Sequence, residues 1–194
     1  MSVEIREIGV DLLPRYAAIP IAFKVASVFR IEVIDKGLGG FALAEEQVAP
    51  YTKDYDSQDK DDSGPTGWPE RFDVSKWGIF LALDGDRPVG GATVADTPGV
   101  HMLEDRKDLA VLWDIRVHPD ERGRGIGSGL FKHAADWARQ RECRQLKVET
   151  QNVNVPACRF YAEQGCELGA IHRYGYAGSS HVAHEAMLLW YLAL

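Results

Sequence analysis

The spacing of apolar and polar positions predicts a chain of alternating strands and helices. Apolar and charged residues alternate from Val3 to Ile8, which is typical of a half-buried strand. Asp11 then stands where its side chain could cap a short helix through about Ala18, with Pro14 in the first turn or limiting the length. The β-branched residues from Val25 to Ile34 indicate a second extended segment.

The next part of the chain gives weaker signals. Residues Ala42 to Lys53 show no clear period, and a loop is predicted from Asp54 to Pro69. This loop carries the aspartates Asp54, Asp56, Asp59, Asp61 and Asp62. A domain linker, a mobile lid and a solvated turn all fit this composition. Because too little chain precedes it for a separate core, we interpret it as a surface loop inside one domain.

From Trp77 onward the pattern is sharper. The sequence Asp84-Gly85-Asp86 joins two apolar runs, Trp77 to Leu83 and Arg87 to Ala95, as a β-hairpin turn does. The strongly apolar run from Leu109 to Val117 predicts a central strand. An amphipathic helix is predicted from Gly125 to Glu142. Its apolar stripe consists of Ile126, Leu130, Ala134 and Ala138.

Three further elements are predicted towards the C-terminus. A short strand spans Gln145 to Thr150, and a helix opens at Pro156 and runs to about Gln164, where Gly165 ends it. A closing strand spans Glu185 to Leu192. The alternation of strands and helices predicts an α/β or α+β fold, with helices packed on a sheet.

Composition narrows the class of protein. The chain has 194 residues, of which 45% are hydrophobic and 26% are charged, as in an ordinary globular domain. There are 22 Lys and Arg residues against 29 Asp and Glu residues, so the formal net charge is −7. A chain this acidic is a poor candidate for binding nucleic acid or an anionic membrane through charge alone, and it suits a cationic partner better.

The sequence shows no sign of export or of a metal site. No apolar run approaches the roughly 20 residues that span a bilayer, and the N-terminus lacks the pattern of a signal peptide. The cysteines Cys143, Cys158 and Cys166 have no short-spaced pair, so neither a disulfide framework nor a zinc site is expected. His181 and His184 have no third ligand nearby. We therefore expect reduced, structural cysteines and a cytoplasmic protein.

The segment from Val117 to Gly127 is the most informative one. A central strand leads into a glycine-rich turn, and the turn opens a long helix whose first amide groups have no partner inside the helix. Glycines allow close approach to the backbone, and Arg122 and Arg124 add positive charge, so this pattern predicts a phosphate or pyrophosphate cradle. The spacing fits neither a P-loop nor a dinucleotide fingerprint. A helix start that is glycine-rich without a ligand is the alternative.

Two sequence blocks resemble the GNAT superfamily, the GCN5-related N-acetyltransferases. Arg122-x-x-Gly125-x-Gly127 is similar to the R/Q-x-x-G-x-G/A signature of that family, and Leu112 to Pro119 resembles its fourth strand. The later block Asn154-x-x-Ala157-x-x-Phe160-Tyr161-x-x-x-Gly165 resembles the second conserved block. Cys166 departs from the phenylalanine that many relatives have after this glycine. The resemblance covers roughly Trp77 to Leu192 and is loose before it.

The resemblance implies the GNAT fold. In this fold a mixed, mostly antiparallel sheet has two splayed parallel central strands, here Leu109–Val117 and Gln145–Thr150, with flanking helices. It also implies a single domain over residues 1–194. Residues 1–76, with the acidic loop 54–69, would be a variable part facing the substrate, and residues 77–194 the acetyl-CoA-binding core.

The resemblance further implies acetyl-CoA as co-substrate and no metal. Backbone amides from Arg122 to Gly127 would hold the pyrophosphate, and the backbone of Ile115 to Val117 would pair with the pantetheine arm as an added strand. The implied cofactor-binding residues are Ile115, Arg116, Val117, Arg122, Gly123, Arg124, Gly125, Ile126, Gly127, Asn154, Ala157 and Tyr161.

Acetyl transfer to an amine needs a proton acceptor for the amine and a proton donor for the thiolate. Tyr161 occupies the family's position for the acid, with a core aromatic beside Phe160 as the alternative. Glu149 matches the base of some ribosomal-protein N-terminal acetyltransferases, and Asp114 is a second candidate. Either carboxylate could instead bind a substrate ammonium or form a structural salt bridge, and many relatives use water as the base.

The acceptor is predicted from three stretches of sequence. Residues 146–152, 157–161 and 167–169 look similar to streptothricin acetyltransferases, which acetylate an amine of a polycationic antibiotic. A small-molecule amine acetyltransferase is therefore the favoured prediction. A protein or peptide N-acetyltransferase and a non-catalytic acyl-CoA sensor are the alternatives. Dimers are common in the family, so the resemblance is also compatible with a homodimer.

Overall fold

The computed structural model describes residues 3–57 and 64–194. Asp59, Asp61 and Asp62 of the predicted acidic loop lie outside the described residues. The strands are β1 (Glu4–Glu7), β2 (Phe23–Val33), β3 (Phe41–Lys53), β4 (Gly78–Asp84), β5 (Arg87–Ala95), β6 (Leu109–Val117), β7 (Gln145–Gln151), β8 (Glu167–His172) and β9 (Met187–Ala193). The α-helices are α1 (Leu13–Ala17), α2 (Trp68–Arg71), α3 (Ile126–Gln140) and α4 (Val155–Glu163).

Seven strands form one mixed sheet in the order β1-β4-β5-β6-β7-β9-β8, and β2 and β3 form a separate two-stranded sheet. The large sheet is mostly antiparallel with one parallel pair, β6 and β7, and helices flank it. The predicted fold class is confirmed, and β6 is the central strand of the seven. No helix in the described ranges is long and apolar enough to cross a membrane.

One prediction about local structure needs correction, and two strands are found that the sequence did not predict. No side chain caps α1, because a 3₁₀ turn at Val10–Leu12 precedes it and contains Asp11. The segment without a clear period is the long strand β3, whose exposed residues on both faces hide the alternation. Strand β8 was not predicted, because it is short and contains Gly169.

Part of the predicted loop 54–69 is ordered and buried. Gly64–Gly67 forms a 3₁₀ turn that leads into α2, and the Trp68 side chain is buried. The Trp68 ring lies 5.6 Å from that of Tyr16 and 6.2 Å from that of Trp77. Aromatic packing against the core therefore fixes the end of this segment, a contact that its polar composition does not reveal.

The chain divides into two compact units. The first unit comprises residues 1–22, 54–148 and 191–194. In this unit two neighbouring glycines of β5 face opposite sides of the sheet. A Cβ at Gly90 would lie 2.9 Å from Leu130 of α3, and a Cβ at Gly91 would overlap the Tyr16 ring of α1. The small residues of β5 thus allow a helix to pack closely on each face.

The second unit comprises residues 23–53 and 149–190. In this unit Asn152 forms hydrogen bonds with two separate segments. The Asn152 amide group donates to the carbonyl oxygen of Phe29 at 2.9 Å, and its backbone oxygen accepts from the Phe29 amide at 2.8 Å. Its side-chain oxygen accepts from the Ala186 amide at 2.8 Å. A buried ion pair between Lys53 and Glu185 adds a further link. These bonds fix the end of β7 just beyond Glu149.

The close approach at Gly91 predicts a loss of stability for Gly91→Ala. The added methyl group overlaps the ring of Tyr16, so backbone or ring must move. We expect the free energy of unfolding to fall by about 1–3 kcal/mol, as is typical of overpacking, measured by urea denaturation. Gly178→Ala is the control, because a Cβ there meets nothing within 4 Å. Equal midpoints for the two variants would contradict this account of the core.

Candidate active site

The turn between β6 and α3 is built on two glycines in the left-handed region. Gly123 has φ 77° and Gly125 has φ 81°, and a Cβ added at either position meets no atom within 4 Å. A residue with a side chain is strained in this region, which explains glycine at both positions. No atom of the described residues covers the backbone where the side chains of Gly123 and Gly125 would stand, so a ligand can approach it closely.

Helix α3 begins at Ile126, immediately after this turn. The first amide groups of a helix have no partner inside it, and the helix dipole places partial positive charge at the same end. Helix α3 has 15 residues, so the aligned peptide dipoles of several turns add up at its N-terminus. Residues Arg122–Gly127, which we call the glycine cradle, therefore suit an anionic group such as a pyrophosphate.

The two arginines of the glycine cradle are tied to the protein. The Arg122 guanidinium donates to the backbone oxygens of Val117 at 3.1 Å and Ala22 at 2.8 Å. Desolvation lowers the pKa of Arg122, but the ordinary value is so high that the side chain stays charged at neutral pH. Arg124 pairs with the buried carboxylate of Glu121. Both side chains thus hold the turn in shape, and Arg122 adds positive potential to it.

Strand β6 has a bulge at the point where its parallel pairing ends. The register of β5 on β6 skips one residue at Trp113, which is the bulged residue. The register with β7 ends at the pair Leu112–Val148, although β6 continues to Val117. In the described chain, the backbone of Ile115–Val117 has a ladder partner on its β5 side only. This is the divergence that the family resemblance predicts, and such an edge can accept an extended ligand.

The side chain of Arg116 is inside the first unit, with 2% of its surface exposed. Its Nε and Nη2 donate to the two oxygens of Asp114 at 2.9 and 2.7 Å. Its Nη1 donates to a carboxylate oxygen of Asp56 at 2.8 Å and to the backbone oxygen of Ile19 at 3.1 Å. The Tyr16 hydroxyl donates to Asp114 at 2.6 Å. We call Tyr16, Asp56, Asp114 and Arg116 the buried charge cluster, of which Asp56 is the exposed member, with 34% of its side chain accessible.

Charge states in the buried charge cluster follow from its geometry. Burial is the largest single influence and by itself lowers the pKa of Arg116, but the charge and hydrogen bonds of Asp114, together with Tyr16 and Asp56, outweigh it, so the net pKa is raised. Burial, followed by the negative charge of Asp114, raises the pKa of Tyr16 well above its ordinary value. Tyr16 therefore stays a hydrogen-bond donor and Arg116 stays a cation. Asp114, which accepts three hydrogen bonds from them, has the partners of a structural ion pair.

Glu149 has a different kind of partner. One of its carboxylate oxygens accepts a hydrogen bond of 2.6 Å from the Tyr176 hydroxyl, and the same hydroxyl accepts from Nε2 of Gln151 at 2.8 Å. Tyr176 follows Gly175 in the irregular segment between β8 and β9. No sequence pattern marks this tyrosine, because a single aromatic residue in a glycine-containing loop has no periodic signal.

Helix α4 carries the remaining predicted residues. The side-chain oxygen of Asn154 accepts from the amide of Ala157 at 3.2 Å, which caps the N-terminus of the helix. Tyr161 is buried, and its ring lies 5.3 Å from that of Phe160 in an edge-to-face arrangement. The capping contact explains the asparagine in structural terms beside the cofactor contact that the resemblance implies.

The predicted residues are distributed over both units. In the first unit, β6 and the turn after it bring together Asp114, Ile115–Val117 and the glycine cradle. In the second unit, β7 and α4 carry Glu149, Asn154, Ala157 and Tyr161. Each group is therefore assembled from residues that are consecutive along one or two elements.

The cysteines are free and buried, as expected of structural residues. Burial raises the pKa of Cys158 to about 12 and that of Cys166 to about 11, and it also raises the pKa of Cys143. A thiol must ionise to act as a nucleophile, so these three are unreactive at neutral pH. The described ranges contain no group of three or more His, Cys, Asp or Glu side chains that could hold a metal ion.

Known proteins with similar sequences are acetyltransferases. Residues 41–166 match the acetyltransferase (GNAT) family. The chain is 32% identical over 169 residues to a streptothricin acetyltransferase of Escherichia coli, a match that covers 87% of this chain and 84% of that protein. It is 35% identical over 154 residues to streptothricin acetyltransferase A of Bacillus subtilis (strain 168), which covers 79% and 80% of the two chains.

A solved structure has the same fold over the whole chain. A Bacillus anthracis str. Ames protein described as a streptothricin acetyltransferase, in complex with acetyl coenzyme A, aligns with a TM-score of 0.78 at 24% identity. The alignment covers 100% of both chains. The family match spans more than half of this chain, and the sequence identity to named acetyltransferases extends over most of it. The chain therefore belongs to the acetyltransferase (GNAT) family and is an acetyl-CoA-dependent N-acetyltransferase.

Proposed function

We propose that the chain transfers the acetyl group of acetyl-CoA to an amine of a small polycationic molecule of the streptothricin type. The observation that carries this proposal is the extent of the match to the streptothricin acetyltransferase of Escherichia coli. At 169 residues it is longer than the region 77–194 and so continues into the part of the chain before it. The net charge of −7 also favours a cationic acceptor by electrostatic steering.

The residues of the first unit fit acetyl-CoA. The positive φ of Gly123 and Gly125 leaves open space beside the backbone where a side chain would otherwise stand. The start of α3 supplies amide donors for a pyrophosphate. The unpaired edge at Ile115–Val117 supplies donors and acceptors for an amide-containing arm. Asn154 and Ala157 at the start of α4 are proposed as further contacts of the cofactor.

When bound, acetyl-CoA supplies an acetyl thioester to the reaction. Glu149 accepts a proton from the substrate ammonium, which makes the lone pair of nitrogen available for attack. Tyr161 donates its hydroxyl proton to sulfur as the carbon–sulfur bond breaks. It regains a proton from nitrogen as the carbon–nitrogen bond forms. Glu149 then releases its proton to solvent, so each acetylated ammonium yields one thiol, one amide and one proton.

The neighbours of the two candidate bases support Glu149 over Asp114. Asp114 accepts bonds from Arg116 and Tyr16 and is only 10% exposed at its side chain. Protonation of Asp114 would leave the buried guanidinium of Arg116 without its main counter-charge. Glu149 has a hydroxyl as partner in place of a cation. Proton uptake at Glu149 therefore breaks no buried ion pair.

We further propose that the chain is one functional domain. Residues 1–76, with the acidic loop 54–69, would face the acceptor, and residues 77–194 would bind acetyl-CoA. Three free thiols suit a reducing, cytoplasmic setting. A homodimer stays a prediction from the family resemblance.

A thiol-release assay with acetyl-CoA tests the acceptor directly. The panel consists of streptothricin, polyamines, aminoglycosides and peptides, and mass spectrometry detects the acetylated product. We expect turnover with streptothricin and little with peptides. Turnover with peptides alone would replace the small-molecule acceptor with a protein substrate. Binding of CoA without turnover on any amine would favour a sensor.

Substitution of Gly125 tests the glycine cradle. Valine is strained at a φ of 81°, and its side chain occupies the face of the turn where the pyrophosphate is proposed to bind. We expect Gly125→Val to raise the Kd for acetyl-CoA by roughly tenfold or more, measured by calorimetry. Gly85→Val is the matched control, because Gly85 has a positive φ and the same open space but lies in the β4–β5 turn. An equal effect of both variants would contradict the cradle.

Substitution of Tyr161 tests the general acid. Tyr161→Phe keeps the buried ring and removes only the hydroxyl, so packing against Phe160 is preserved. We expect kcat to fall by roughly tenfold or more, within the usual range for loss of an acid, while the Kd for acetyl-CoA stays within twofold of the wild-type value. Steady-state kinetics gives kcat, and calorimetry on the same preparation gives the Kd for acetyl-CoA. Unchanged turnover would remove Tyr161 from the mechanism.

A further inference from the structure

The first part of the segment between β8 and β9, residues 173–181, is exposed with one exception near Glu149. Residues 172–175 and 177–181 are all exposed, whereas Tyr176 between them is half-buried. Its hydroxyl bonds to two side chains of β7, those of Glu149 and Gln151. These residues are two positions apart on a strand, so they lie on the same face and present their polar groups side by side. The Tyr176 hydroxyl bridges them.

The chemistry of Glu149 and Gln151 decides in which hydrogen bond the Tyr176 hydroxyl donates and in which it accepts. The side-chain nitrogen of Gln151 can only donate, so the Tyr176 oxygen accepts there. The single hydroxyl proton of Tyr176 is then available for the carboxylate of Glu149, at 2.6 Å. Gln151 thereby orients the hydroxyl, and the hydroxyl orients the carboxylate.

We propose that Tyr176 is a positioning residue for Glu149. This inference rests on the proposed function, in which Glu149 accepts the proton of the amine. Among the described residues, Tyr176 provides the hydrogen bond to the Glu149 side chain, and it does so through Oε1. Oε2 is left to receive the substrate ammonium.

The hydrogen bond from Tyr176 links the exposed segment to Glu149, the proposed proton acceptor. Tyr176 bonds this segment to the face of β7 that carries Glu149. Loss of the hydroxyl therefore releases the carboxylate to adopt other rotamers, although the fold of β7 is unchanged. The expected signature is a lower kcat at an unaltered affinity for acetyl-CoA.

A double-mutant cycle tests whether Tyr176 acts through Glu149. The four proteins are wild type, Tyr176→Phe, Glu149→Gln and the double variant, assayed with acetyl-CoA and the best acceptor of the amine panel. We expect Tyr176→Phe alone to lower kcat by roughly three- to tenfold, and to have no further effect in the Glu149→Gln background. The KM for acetyl-CoA and the thermal midpoint should stay at wild-type values.

A matched control comes from the same segment. Tyr174 is 68% exposed and two residues away, so Tyr174→Phe removes a hydroxyl from the segment without touching β7, and its kcat should equal that of the wild type. An equal loss from Tyr176→Phe in both backgrounds, or no loss in either, would overturn the inference while acetyl transfer by the wild type stands. Full turnover of Glu149→Gln would overturn it as well. Absence of acetyl transfer by the wild type would instead reject the proposed function, and the inference with it.

Discussion

Arg116 is a guanidinium inside the first unit, and the structure around it has to satisfy its charge. Removing an unpaired cation from water costs several kcal/mol, so partners are required on every side. They come from separate parts of the sequence: Asp114 on the same strand, the carbonyl of Ile19 after α1, and Asp56 in the segment that follows β3. The cluster therefore ties α1 and the beginning of the acidic segment to β6. Tyr16 completes it and needs Gly91 for its close approach to the sheet.

Strand β6 serves this framework through a side chain and the proposed ligand edge through its backbone. The side chain of Arg116 points into the core, whereas the backbone of Ile115–Val117 remains unpaired on the side away from β5. The bulge at Trp113 marks the point where β6 departs from its parallel partner. One strand thus carries a structural ion pair through its side chains and an edge for an extended ligand through its backbone.

The two carboxylates proposed as bases illustrate how neighbours decide the role of a residue type. Asp114 and Glu149 both lie on strands of the sheet, and the sequence alone offers both for the same task. The tertiary contacts give Asp114 a guanidinium and a hydroxyl, and within residues 3–57 and 64–194 they give Glu149 one hydroxyl, which Gln151 orients. Asp114 is thereby engaged in an ion pair with a buried guanidinium, whereas the partner of Glu149 is a neutral hydroxyl.

The sequence by itself determined the central strand, the glycine-rich turn, the family and, apart from β8, the order of elements from Trp77 onward. These features depend on local rules: apolar periodicity, positive φ at glycine, and motif spacing. Only the tertiary structure decided the strand β3, the burial of Trp68, the pairing of Asp114 with Arg116 and the bridge from Tyr176 to Glu149. Each of these depends on groups that are far apart in sequence or on faces whose polarity does not alternate. No local pattern encodes such contacts, because their free energy arises only when the distant partner is already in place.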